Sequence, residues 1–138
     1  MMLKIVILVG SIITIGFAIW HFIVPWKYRW FSYMPNIPKE LENAIKATNF
    51  FFSLSLLLLG SLSLIVTSML WTNIQIIQIM LIIMSVLWTS RVVYQIIYPQ
   101  GKQIQHLSTI MLGMFLITDL LFLIDRMRKR FSLNEGTL

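Results

Sequence analysis

The chain alternates between long apolar runs and short polar breaks. After Lys4 the next charged residue is Lys27; 44 residues without a charge separate Lys46 from Arg91, and 16 separate Lys102 from Asp119. A bilayer hydrocarbon core of roughly 30 Å takes about 20 apolar residues as a helix. The pattern therefore predicts four membrane spans, Leu3–Val24, Ala47–Leu70, Ile74–Tyr98 and Ile104–Ile124. Trp71-Thr72-Asn73 is the only polar break in the longest stretch, which reads as two helices joined by a tight turn. Tyr98-Pro99-Gln100-Gly101-Lys102 reads as a second turn, because proline cannot continue a helix and glycine permits positive φ. Strands of a membrane barrel would alternate apolar and polar residues over about ten positions, whereas these runs are continuous. The first span does not read as a cleaved signal, since its apolar run passes Gly16-Phe17-Ala18 into Trp20 and Phe22. The expected fold is all-α: a single membrane domain forming a four-transmembrane-helix bundle, with a basic tail over residues 125–138.

Two segments add detail. Pro25–Lys46 interleaves Trp26, Tyr28, Trp30, Phe31 and Tyr33 with Lys27 and Arg29, a headgroup-level belt that could also serve as a lid. Within it, Pro38 can start a short helix, with Glu40 and Glu42 near its positive end, that leads into the second span. In that span Gly60, Ser63 and Thr67 fall on one side, with Ser53, Ser61 and Ser68 as a neighbouring seam. Small residues let helix backbones approach closely in lipid, so this is a packing signal.

Composition narrows the function classes. Of 138 residues 58% are hydrophobic and 12% charged, and the mean hydropathy is +0.83, which excludes almost any soluble enzyme domain. The absence of cysteine excludes disulfides, thiolate metal sites and thiol redox chemistry. Arg126, Arg128, Lys129 and Arg130 follow the fourth span as an anionic-lipid anchor, so the net charge of +6 calls for no nucleic acid. Lys4 and those four residues face one side of the membrane; Lys27, Arg29, Lys39, Lys46 and Lys102 face the other. The tighter cluster in the tail favours a cell-membrane protein with both termini cytoplasmic.

Polar groups at membrane depth point to a site. His21 ends the first span and Asn49 begins the second; Arg91 lies seven residues before Tyr98, about 10 Å below the surface at 1.5 Å per residue. Trp88, Arg91, Gln95 and Tyr98 form a stripe on one helix face, flanked by Tyr94. All of these groups fall in the leaflet of the first loop. An ionisable residue inside the membrane is costly and by default faces a bundle interior or cavity. The expected ligand-binding set is His21, Asn49, Arg91, Tyr94, Gln95 and Tyr98, with no metal site and no cofactor; His106 stands at the very edge, too weak a partner for His21 to imply haem. Asp119, fifteen residues into the fourth span, is expected about 22 Å down, in the opposite leaflet, near Ser11 or Thr14 or reaching Arg126.

No zincin motif, phosphate-cradling glycine loop or Ser-His-Asp set at compatible depth is present. The segment Gly16-Phe17-Ala18-Ile19-Trp20-His21-Phe22, followed by Pro25 and Trp30, resembles the G-x-x-x-x-H-F…P stretch of small DoxX-like four-helix membrane proteins. That resemblance covers mainly residues 10–35 and the overall plan. It implies a compact four-helix bundle; some members of the family are tied to quinone-linked redox or sulfur metabolism, and no catalytic residue carries over. The expected function is binding of a lipid, quinone or other amphiphile in a polar pocket within one leaflet, or service as an accessory subunit. The expected partners are membrane lipids, an amphiphilic ligand, and a membrane-complex partner or a second copy. The alternative is a membrane enzyme acting on a lipid or isoprenoid, with His21 as acid–base and Arg91 as an anion clamp.

Overall fold

The structure, a computed structural model, describes residues 2–70, 72–100 and 106–135, with side chains for those between Lys4 and Ile124. Trp71, residues 101–105 with Lys102, and the side chains of the basic tail lie outside the described residues. Four α-helices follow one another: α1 (Met2–Lys27), α2 (Lys39–Met69), α3 (Ile74–Ile97) and α4 (Leu107–Glu135), with a 3-10 turn over Trp30–Tyr33. All four are long and apolar enough to cross a membrane, and the protein is an all-α, four-helix membrane bundle.

Each boundary has a local cause. Pro38 caps α2, which runs without a break from the first loop into the membrane. Its 31 residues span about 46 Å, so its first turns stand clear of a hydrocarbon core of roughly 30 Å. Asn73 caps α3, its side chain accepting the Ile76 N–H at 3.2 Å. α3 stops at Ile97, not Tyr98, because a residue before proline is pushed out of the helical region. The tail is not a separate segment: α4 continues as helix to Glu135, over residues free of proline and glycine. α1 likewise runs three residues past the expected Val24, carrying Pro25 inside its last turn.

The core is set by two matched stripes. On α1, Ile7, Ser11, Thr14, Ala18 and His21 are buried; on α2, Ser53, Leu56, Gly60, Ser63 and Thr67 are. Alternating steps of three and four residues make a seam for close, nearly parallel packing. The Ser11 and Ser63 hydroxyls meet across it at 2.7 Å. Gly60 is required there: an added Cβ would lie 2.8 Å from Ile15 Cγ1 and 3.2 Å from the Ile15 backbone nitrogen. Ser53 belongs to this stripe, and Ser68 is exposed rather than part of a second seam. Gly60 and Thr67 repeat the position of Ser53, whereas Ser61 and Ser68 are each one residue, about 100°, further round.

Helix α1 packs most extensively on α2 and also on α4, and α3 packs on α4. Contact between α2 and α3 is the sparsest of the four neighbouring pairs. Trp88 ties the two halves together, its indole N–H donating to the Thr14 hydroxyl at 3.3 Å, while that hydroxyl donates to the Gly10 carbonyl at 2.8 Å. Isoleucines such as Ile12, Ile19, Ile79 and Ile117 face outward, toward lipid.

Candidate functional site

Toward the first loop the bundle opens around Arg91. His21 and Phe17 come from α1, Phe52 from α2, Arg91 from α3 and Phe115 from α4. Ring centroids of Phe17 and His21 lie 4.9 Å apart, those of His21 and Phe52 5.1 Å, and those of Phe17 and Phe115 5.0 Å. The Arg91 guanidinium carbon closes the circuit, 5.6 Å from the Phe52 ring and 4.9 Å from the Phe115 ring. Four helices thus contribute one continuous wall of aromatic faces around a cation. Cation–π attraction, up to about 2 kcal/mol when desolvated, offsets only part of the cost of holding a guanidinium away from water.

Arg91 Nη2 donates to Gln100 Oε1 at 2.7 Å, and Arg91 Nε is buried with no partner among the described residues. Gln100 is held at its backbone by Gln95. The Gln95 amide donates to the Gln100 carbonyl at 3.1 Å and accepts the Gln100 N–H at 3.4 Å, and it also donates to the Ser108 hydroxyl at 3.2 Å. Gln95 therefore holds the Gln100 backbone just after Pro99, and reaches Arg91 only through Gln100.

His21 is 7% exposed, and neither ring nitrogen has a hydrogen-bond partner among the described residues. Its backbone carbonyl has an unusual one. Proline at position 25 lacks the N–H that would bond the carbonyl four residues earlier, which is that of His21. Asn49 Nδ2 supplies the missing donor at 3.0 Å. One side of the Asn49 amide is thereby committed to holding α2 against the end of α1.

Two cavities meet at this wall. One, of about 390 Å³, lies under the first loop and is bordered by His21, Trp30, Asn49, Phe52, Arg91 and Gln100, among others. The second, of about 260 Å³, is a cleft where α2 and α3 diverge, lined by Phe17, Phe52, Leu56, Leu87, Trp88 and Tyr94, with Arg91 and Ser90. Arg91 and Phe52 border both.

The structure thus brings His21, Asn49 and Arg91 to one cavity and Tyr94 to the adjoining cleft. Gln95 sits behind them, and Tyr98 lines neither space, being 64% exposed and stacked against Tyr94 at 5.4 Å. The residues that sequence reasoning left out are Phe17, Phe52, Phe115 and Gln100. Nothing in an apolar helix distinguishes the phenylalanine that meets a cation from one that meets lipid. Asp119 is placed differently from expectation. It accepts the Thr89 hydroxyl at 2.9 Å, on α3 just two residues from Arg91, rather than pairing with Ser11 or Thr14. Asp119 makes no ion pair with Arg91 among the described residues. The cavities hold no cluster of metal-ligating side chains among the described residues. Comparison with protein families, curated proteins and solved structures yields no match to this chain.

Proposed function

We propose that the protein binds an amphiphile, its polar head in the cavity under the first loop and its apolar part in the cleft between α2 and α3. The observation that carries this reading is the position of Arg91 and Phe52 on the border of both spaces. A single occupant can be polar at one end and apolar at the other only where two such spaces adjoin. The cavity is within the size range of small-molecule sites. Trp30, from the 3-10 turn, closes one side of it, as a lid would. In this reading the protein resides in the cell membrane with both termini in the cytoplasm, and the kinship with DoxX-like proteins suggested by Gly16 to Pro25 is part of the same proposal. A membrane enzyme using His21 as acid–base is the weaker reading: no group among the described residues hydrogen-bonds the imidazole to set its tautomer.

The test is the amount of amphiphile that co-purifies per folded protein in mild detergent, read by mass spectrometry. Arg91→Gln should remove it while the protein still inserts, because neutralising the side chain lowers the insertion cost. Leu56→Trp, which fills the cleft, should do the same without touching the charge. Full retention in both variants overturns the reading.

A further inference from the structure

The same site carries a statement about the chemistry of its occupant, which rests on the amphiphile reading. The chain has five acidic residues: Glu40, Glu42, Asp119, Asp125 and Glu135. Glu42 is paired with Lys46, and Asp119 is bonded to Thr89. Glu40 lies in the exposed first turn of α2, and Asp125 and Glu135 lie in the last part of α4, beyond the membrane-crossing Leu107–Ile124. None of these carboxylates forms an ion pair with Arg91 among the described residues, although Asp119 is bonded only two positions away along α3. Arg91 is half-buried, and a charge partly withdrawn from water is best held by a partner of opposite sign; here its only acceptor among the described residues is the neutral Gln100 amide.

A primary amide has the planar shape of a carboxylate without its charge. Gln100 Oε1 thus occupies the place of one carboxylate oxygen, and Arg91 Nε is left as the donor for a second. Nε and Nη2 together form the guanidinium edge that takes a carboxylate bidentately. His21, more than nine-tenths buried and unpartnered among the described residues, borders the same cavity and in its neutral form offers one further N–H. Arg91 is the only cation among the described residues that border the cavity, which suits a singly charged head better than a phosphate dianion. Because Gln95 holds the Gln100 backbone, the Gln100 side chain can rotate off Arg91 without moving that backbone.

The geometry points to a long-chain carboxylate, of the fatty-acid class, as the occupant. Its head takes Arg91 and His21 in place of the Gln100 side chain, and its chain lies in the cleft of Phe17, Leu56, Leu87 and Trp88. Gln100 is then a placeholder that keeps the arginine partnered when the site is empty, and a competitor when it fills.

Binding of radiolabelled palmitate to the protein in nanodiscs of zwitterionic lipid, at a pH where the acid is ionised, tests this against three probes: hexadecanol, hexadecyl phosphate and acetate. Palmitate should bind at least about tenfold more tightly than hexadecanol, the worth of a charge-assisted hydrogen bond. Acetate, with no chain for the cleft, should bind far more weakly than palmitate. Arg91→Lys should weaken palmitate about tenfold, since lysine lacks the fork, and weaken hexadecanol, whose hydroxyl takes a single bond, by less. Gln100→Ala, at an exposed turn position, should strengthen palmitate several-fold and hexadecanol by less. Equal binding of palmitate and hexadecanol overturns the carboxylate assignment while leaving the amphiphile reading standing. Tighter binding of hexadecyl phosphate, equal binding of acetate, or an unchanged palmitate affinity in Gln100→Ala likewise overturns it. Failure of every long-chain probe to bind overturns both readings.

Discussion

At Gly60 the absent side chain is what lets α1 and α2 meet. An added Cβ would press on the Ile15 side chain at 2.8 Å and lie 3.3 Å from the Ser11 carbonyl. A side chain can shift, but a helix backbone on the facing stripe cannot without opening the seam. Gly60→Ala should therefore destabilise the protein by about 1–3 kcal/mol, the usual cost of overpacking, and Gly60→Leu should prevent the pair from closing. Gly16 is the internal control, since a methyl group added there would meet nothing within 4 Å; Gly16→Ala should be neutral or slightly stabilising. Leu58→Ala, at a position 61% exposed, should cost within about 0.5 kcal/mol. Unfolding in mixed micelles ranks the four, and equal tolerance of Gly16→Ala and Gly60→Ala would mean that the seam is not a close interface. This feature was legible in the sequence, because Gly60, Ser63 and Thr67 fall at steps of three and four among leucines. The Thr14–Trp88 bond was not, because a hydroxyl at helical spacing does not say which of three neighbouring helices it faces.

The last turn of α1 shows how one helix completes another. Pro25 leaves the His21 carbonyl without its helical donor, and Asn49 of α2 supplies it. The two substitutions should therefore be coupled. Asn49→Ala alone should destabilise by about 1 kcal/mol, as expected for an interhelical hydrogen bond in a membrane. In a Pro25→Ala background, where the backbone N–H is restored, the same change should cost markedly less. A double-mutant cycle on unfolding free energies reads the difference; additive effects would mean that Asn49 does not act through this carbonyl. Sequence alone placed Asn49 level with His21, as a member of the expected ligand-binding set. It could not show that the demand for a donor came from a proline four residues on, because that demand exists only if α1 continues as helix through Pro25, and the expected boundary was Val24. Prolines mark the helix ends where the chain does turn, at Pro38 and Pro99, and mislead where the helix carries the ring inside.

For the molecule as a whole, an even number of spans puts both chain ends on one side. A topology reporter inserted among residues 35–38, in the loop before α2, and one fused after Leu138 should give opposite answers; matching answers would break the four-span plan. The count of spans followed from charge spacing, since 44 uncharged residues are too many for one crossing. The arrangement of the helices did not, because apolar faces of similar composition do not declare which neighbour they meet. Thus the convergence of His21, Asn49 and Arg91 in one leaflet was visible, while the gap beside them was not. That gap has a thermodynamic consequence. Helices α2 and α3 touch least of the neighbouring pairs, and the cleft lies between them. In the proposed reading the occupant enters this cleft from the lipid, and its site would equilibrate with the mole fraction of ligand among the lipids rather than with its concentration in water. For a sparingly soluble amphiphile the leaflet is the reservoir, and a site of modest intrinsic strength is occupied whenever that component makes up an appreciable share of it.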